Sequence, residues 1–111
     1  MKTYTGSCHC EAVTFTFSAD ITEAIECNCS HCAMKGLVLT FIPQSNVTIA
    51  SGEDKLTTYL FNKRHINHTF CAVCGVQPFG IADDTMAINL RCLKDFDMTA
   101  VTINQFDGKS L

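Results

Sequence analysis

Residues 8–17 read Cys8-His9-Cys10-Glu11-Ala12-Val13-Thr14-Phe15-Thr16-Phe17, two thiols that run directly into an alternating apolar stretch. Val13, Phe15 and Phe17 alternate with Thr14 and Thr16, the period-2 pattern of a half-buried strand. Cys8 and Cys10, also two apart, then share one face where that strand begins. A strand that opens on paired thiols predicts a β domain fastened by metal.

The same theme recurs outward along the chain. Cys27-Asn28-Cys29-Ser30-His31-Cys32 is C-x-C-x-x-C, and Cys71-Ala72-Val73-Cys74 is C-x-x-C. Closely spaced thiolates converge on one soft, tetrahedral ion, zinc above all. Leu37 to Ile42 is a compact apolar run stopped by Pro43, and it reads as a buried strand. Val47-Thr48-Ile49, Leu56 to Phe61, Val76 to Ala82, Met86 to Leu93 and Val101 to Phe106 read as further short strands. Gly52-Glu53-Asp54 and Asp83-Asp84 read as turns, Leu93 to Asp97 as a loop or one helical turn, and Ile21 to Ile25 as one helical turn. Cys74-Gly75 suits a tight knuckle in which glycine supplies a left-handed turn. No long stretch carries a 3.6-residue apolar period, so the fold class predicted is all-β, a small domain of short antiparallel strands stapled by zinc.

The bulk numbers agree with one domain over residues 1–111. A chain of 12.2 kDa can bury a single modest core, and metal staples then add usefully to its stability. No apolar run reaches the roughly 18 residues that cross a bilayer, and the N-terminus lacks the apolar segment of a secretory signal. A reducing, cytoplasmic location is therefore expected, and there eight cysteines serve metal or catalysis and not disulfides. It also makes the N-x-S/T matches at Asn28, Asn46 and Asn67 chance occurrences. The net charge of −3 and scattered lysines and arginines, only Lys63-Arg64 adjacent, argue against a nucleic-acid partner.

Seven clustered cysteines divide as four plus three. Two distant pairs, Cys8/Cys10 and Cys71/Cys74, can close a structural site. The trio of Cys27, Cys29 and Cys32 lacks one ligand, and a catalytic zinc keeps such a position for substrate. The competing expectation is a second structural site closed by Cys92, His31, His65 or His68. Cys92 in a strand would share a face with Ile88 and Leu90, as a core residue. Asn89 and Arg91 would share the other face, where arginine suits a carboxylate. His9 should point away from metal, and His31 should shape the loop between its cysteines. Asp83, Asp84, Asp95 and Asp97 read as turn residues.

Taken together, Gly6-Ser7-Cys8-His9-Cys10, Ala12-Val13-x-Phe15, Cys27-Asn28-Cys29-Ser30-x-Cys32, Phe70-Cys71-x-x-Cys74-Gly75, Asn89-x-Arg91-Cys92-Leu93 and Phe106-Asp107-Gly108 resemble the glutathione-dependent formaldehyde-activating, or centromere protein V-like, family. The resemblance implies a β-tent type fold with two zinc ions per chain. The structural ion would lie on Cys8, Cys10, Cys71 and Cys74, and the catalytic ion on Cys27, Cys29 and Cys32. It further implies a carbon-sulfur lyase that joins formaldehyde or a related aldehyde to a small-molecule thiol such as glutathione. The alternative from another class is a non-catalytic zinc module that binds a protein partner.

Overall fold

The computed structural model describes residues 1–61 and 66–110. The expected ligand His65 and the Lys63-Arg64 pair lie outside them. The described residues are mostly β, in three small sheets.

The first sheet joins β1 (Lys2–Ser7), β2 (Thr14–Ala19) and β5 (Val47–Ser51) in the order β1-β2-β5. Phe15 and Phe17 of β2 are buried and Thr14 and Thr16 half-buried, as the alternation requires. Phe15 meets Phe79 edge to face, with ring centroids 5.3 Å apart. Gly6 of β1 lies against the Phe15 ring so closely that no Cβ would fit.

The second sheet runs β10-β3-β4-β9-β8, from β3 (Glu23–Cys27), β4 (Leu39–Pro43), β8 (Phe79–Ala82), β9 (Thr85–Asn89) and β10 (Thr102–Phe106). Its neighbours are antiparallel except β3 and β10, which pair in parallel, with Cys27 opposite Phe106. One face carries Ala24, Ile42, Met86 and Ile88 into a core shared with Val13, Phe15 and Phe17. On the other, Leu39, Ile25 and Ala87 pack with Cys32 and Leu37. The third sheet is a pair, β6 (Leu56–Tyr59) with β7 (His68–Cys71), joined to β8 by a bridge between Asn67 and Ile81.

Three expectations are corrected. Residues 21–25 make no helical turn, because Glu23–Cys27 is held as a strand by β4 and β10 on its two sides. The predicted strand over 86–93 stops at Asn89 and gives way to a 3₁₀ turn, Leu90–Cys92. A helix, α1 (Ser30–Lys35), occupies the C-x-x-C loop. Cys29 caps its start, with Sγ accepting the Cys32 N–H at 3.3 Å, and Gly36 ends it at φ 66°. Among the described residues no helix is long and apolar enough to cross a membrane.

Candidate metal centres

Cys8 and Cys10 sit in the β1–β2 connection, Cys71 ends β7, and Cys74 follows in the β7–β8 connection. The fold brings their four sulfurs within 4.8 Å of one another. Cys10 Sγ lies 3.7 Å from both Cys8 Sγ and Cys71 Sγ. Four thiolates at Zn–S bonds of about 2.3 Å on a tetrahedron stand about 3.8 Å apart, so the spacing fits zinc.

Backbone N–H groups point at these sulfurs. Val13 N–H donates to Cys8 Sγ at 3.3 Å and Val73 N–H to Cys71 Sγ at 3.4 Å. The N–H groups of Val76 and Cys10 lower the Cys74 thiol to about 6, and the Cys74 and Val73 N–H groups lower Cys71. A backbone hydrogen bond from Ala12 pulls Cys10 down, yet partial desolvation and its sulfur neighbours prevail and push it up to about 11. Four neighbouring thiols cannot all ionise without a cation among them, which is the electrostatic signature of a metal-binding group.

The second group is Cys27, Cys29 and Cys32, also within 4.8 Å of one another. Cys27 ends β3 on the same face as Ile25, and Cys29 and Cys32 are placed by the start of α1. Burial raises the Cys29 thiol, but the Cys32 N–H and neighbouring sulfurs overcome it and lower it. Burial and then Cys29 push Cys32 up. Among the described residues no Cys92, His31 or His68 atom joins this group, which stays at three sulfurs.

The C-terminal segment clasps the trio. Asn28 N–H donates to Phe106 O at 3.0 Å, Asn28 Nδ2 donates to Asp107 Oδ1 at 2.8 Å, and Asn28 Oδ1 accepts Lys109 N–H at 2.8 Å. Gly108 rests against Cys27 Sγ, where a Cβ would collide with the sulfur. Sequence reasoning did not assign these roles, because only the parallel β3–β10 pairing brings Gly108 to Cys27.

Beside the trio opens a chamber of about 360 Å³. Ile25, Leu39, Phe41, Ala82 and Ala87 line it, with His68 and Gln77 among its few polar groups. Burial and then the Lys35 charge lower His68 below the ordinary histidine value, which favours its neutral form. His31 stacks on Tyr59 and Phe61 and lies tilted against His68, and both its ring nitrogens are buried without hydrogen-bond partners among the described residues.

The remaining candidates fall elsewhere. His9 is exposed. Cys92 is part-buried, accepting from Asn89 Nδ2 at 3.5 Å, with Gln77 O 3.7 Å away. Asn89 and Arg91 do not form a shared polar face: Asn89 Oδ1 accepts the Arg91 N–H at 3.2 Å to start the 3₁₀ turn, and Arg91 Nε donates to Gly36 O at 3.2 Å. The alternation of Ile88 and Leu90 persists through that turn, which is why it read as strand.

A sequence model of the family described as glutathione-dependent formaldehyde-activating enzyme matches residues 3–107, a span that holds both cysteine groups. The crystal structure of a Rhodobacter sphaeroides protein is also similar, with a TM-score of 0.79 and 25% sequence identity, covering 90% of this chain and 99% of that one.

Proposed function

The chain belongs to the glutathione-dependent formaldehyde-activating enzyme family, and from that membership we propose a zinc-dependent enzyme of carbon-sulfur bond chemistry. It joins formaldehyde or a related aldehyde to the thiol of glutathione and, as a lyase, cleaves the same bond in reverse. Cys8, Cys10, Cys71 and Cys74 hold a structural zinc, and Cys27, Cys29 and Cys32 hold a catalytic one. The observation that carries this reading is the difference between the groups: one has four sulfurs, while the other has three and borders the chamber.

When bound at the trio, zinc supplies an open position that keeps a thiol ionised near neutral pH. In the addition the sulfur bonds to the carbonyl carbon, the C=O π pair moves to oxygen, and oxygen takes up the proton the thiol lost. The chain's own residues do the rest. The Cys29 cap fixes one sulfur against the helix, and Gly108 packs closely on another, that of Cys27. The apolar walls thin out competing water. Neutral His68 on the chamber wall is able to accept or return the proton. A cytoplasmic setting suits eight unpaired thiols.

Zinc per chain, measured with and without glutathione, tests the proposal together with formaldehyde–glutathione exchange followed by NMR. Two zinc ions, one of them perturbed by the thiol, and accelerated exchange are expected. Two zinc ions with neither response would leave a non-catalytic zinc module for a protein partner.

A further inference from the structure

The five-stranded sheet carries apolar clusters on both faces. Ala24, Ile42, Met86 and Ile88 fill the main core from one. Ile25, Leu39, Phe41, Ala82 and Ala87 floor the chamber from the other. A second face that met only water would carry polar residues in alternation. Instead Phe41 and Phe106 stand 54% and 44% exposed at the chamber's edge. A bound hydrocarbon would remove that apolar surface from water.

The floor is hollow because its residues are small. Gly80, Ala82 and Ala87 sit where β8 and β9 pair, and a Cβ added at Gly80 would meet only ordinary contacts, 3.5 Å from Asn67 O and 3.6 Å from Gln77 Nε2. The volume of about 360 Å³ equals roughly a dozen waters at about 30 Å³ each, room for a chain of about six carbons or one phenyl ring.

Charge decides which part of the reactants belongs there. Among the described residues no Asp, Glu, Lys or Arg lines the chamber. Lys35 is turned to Gln77 Oε1 at 2.9 Å, with its ammonium 5.1 Å from the Phe70 ring centre. Glutathione carries two carboxylates and an ammonium, and burying them without partners is strongly unfavourable. The described lining offers those charges no partner and so favours a glutathione body that stays toward solvent.

Building on the reading that the trio holds the reacting thiol, we infer that the chamber takes the hydrocarbon substituent of the aldehyde. The substrate class is a medium-chain alkyl or an aryl aldehyde. The chemistry is unchanged: one carbon-sulfur bond forms, the π pair goes to oxygen, and the thiol proton follows it.

Two measurements on the zinc-loaded protein test this. The first reads binding without turnover, by titrating hexan-1-ol and following methyl NMR signals. Saturable shifts confined to Leu39, Ala82 and Ala87, lost in a folded Ala87→Leu or Ala82→Leu variant, are expected; no shifts, or shifts scattered over the surface, overturn the chamber assignment. The second compares glutathione addition to hexanal and to formaldehyde. Hexanal should be favoured at least tenfold, and Ala87→Leu should cut that ratio at least tenfold. Equal rates, or a ratio unmoved by Ala87→Leu, overturn the substrate class. If neither aldehyde is accelerated while hexan-1-ol still binds the floor, the thiol-adduct reading has failed, and the aldehyde assignment with it.

Discussion

Gly108 faces the Cys27 sulfur across a gap that admits no methyl group. Gly108→Ala should therefore push the clasp or the sulfur aside, and under the proposed two-zinc assignment the zinc content should fall from two ions per chain toward one while the circular dichroism spectrum is kept. Retention of two tightly held ions would remove Gly108 from any role at the trio. Its neighbour in the clasp, Asp107, is held below the usual carboxylate range by Ser110 and then Asn28. At His31, burial first, then the His68 and Lys35 charges, lower the ring's pKa to about 4. The folded ring is then neutral between about 4 and 6.5, where the unfolded one gains a proton. This group therefore leaves stability unaffected above pH 6.5 and subtracts from it as pH falls from 6.5 toward 4. His31→Phe should flatten that part of the stability curve, read as a smaller difference between urea midpoints at pH 5 and 7.5. The grouping of the cysteines was legible in the sequence, because spacing shows which thiols can converge. Gly108 and His31 were not, because their roles depend on which atoms meet across the fold.

Among the elements, α1 shows why the reading of short segments fails. Six residues are too few to display a helical period, and what starts α1 is a cysteine in the place of the usual hydroxyl or carboxamide cap. β3 was hidden for a related reason: Ile21 and Ile25 stand four apart, a helical spacing, but neighbours on both sides settle the strand. β2 was plain because its own alternation suffices. The clasp between β10 and the Cys27–Cys29 loop runs through one side chain, Asn28. Asn28→Ala should weaken zinc at the trio by about tenfold, the low end of the range for a partner bonded directly to a ligand, because Asn28 bonds to the clasp and not to a sulfur. Competition with a chromophoric chelator would measure it, and an unchanged affinity would make the clasp incidental to the metal.

Across the molecule, the four-sulfur group ties the β1–β2 connection to the β7–β8 connection, Cys10 and Cys71 being 61 positions apart. Closed zinc sites contribute folding energy outright, so Cys71→Ser, or chelation of that ion, should unfold the chain cooperatively. Cys29→Ser should instead keep the fold and lose thiol-dependent activity. A folded, zinc-replete Cys71→Ser protein would reverse the two roles. The pairing of distant cysteines could be foreseen because four ligands close a site and three do not. The chamber could not, since its floor draws single residues from several strands whose order only the tertiary structure fixes. The parallel pairing of β3 with β10 carries one further consequence, for biosynthesis. The trio's thiols precede their clasp, with Asn28 and Asp107 79 positions apart, so at about 5–20 residues per second a ribosome leaves these sulfurs unsheltered for roughly 4–16 seconds. During that interval they are open to oxidants and to competing metal ions, which the clasp cannot exclude until it forms.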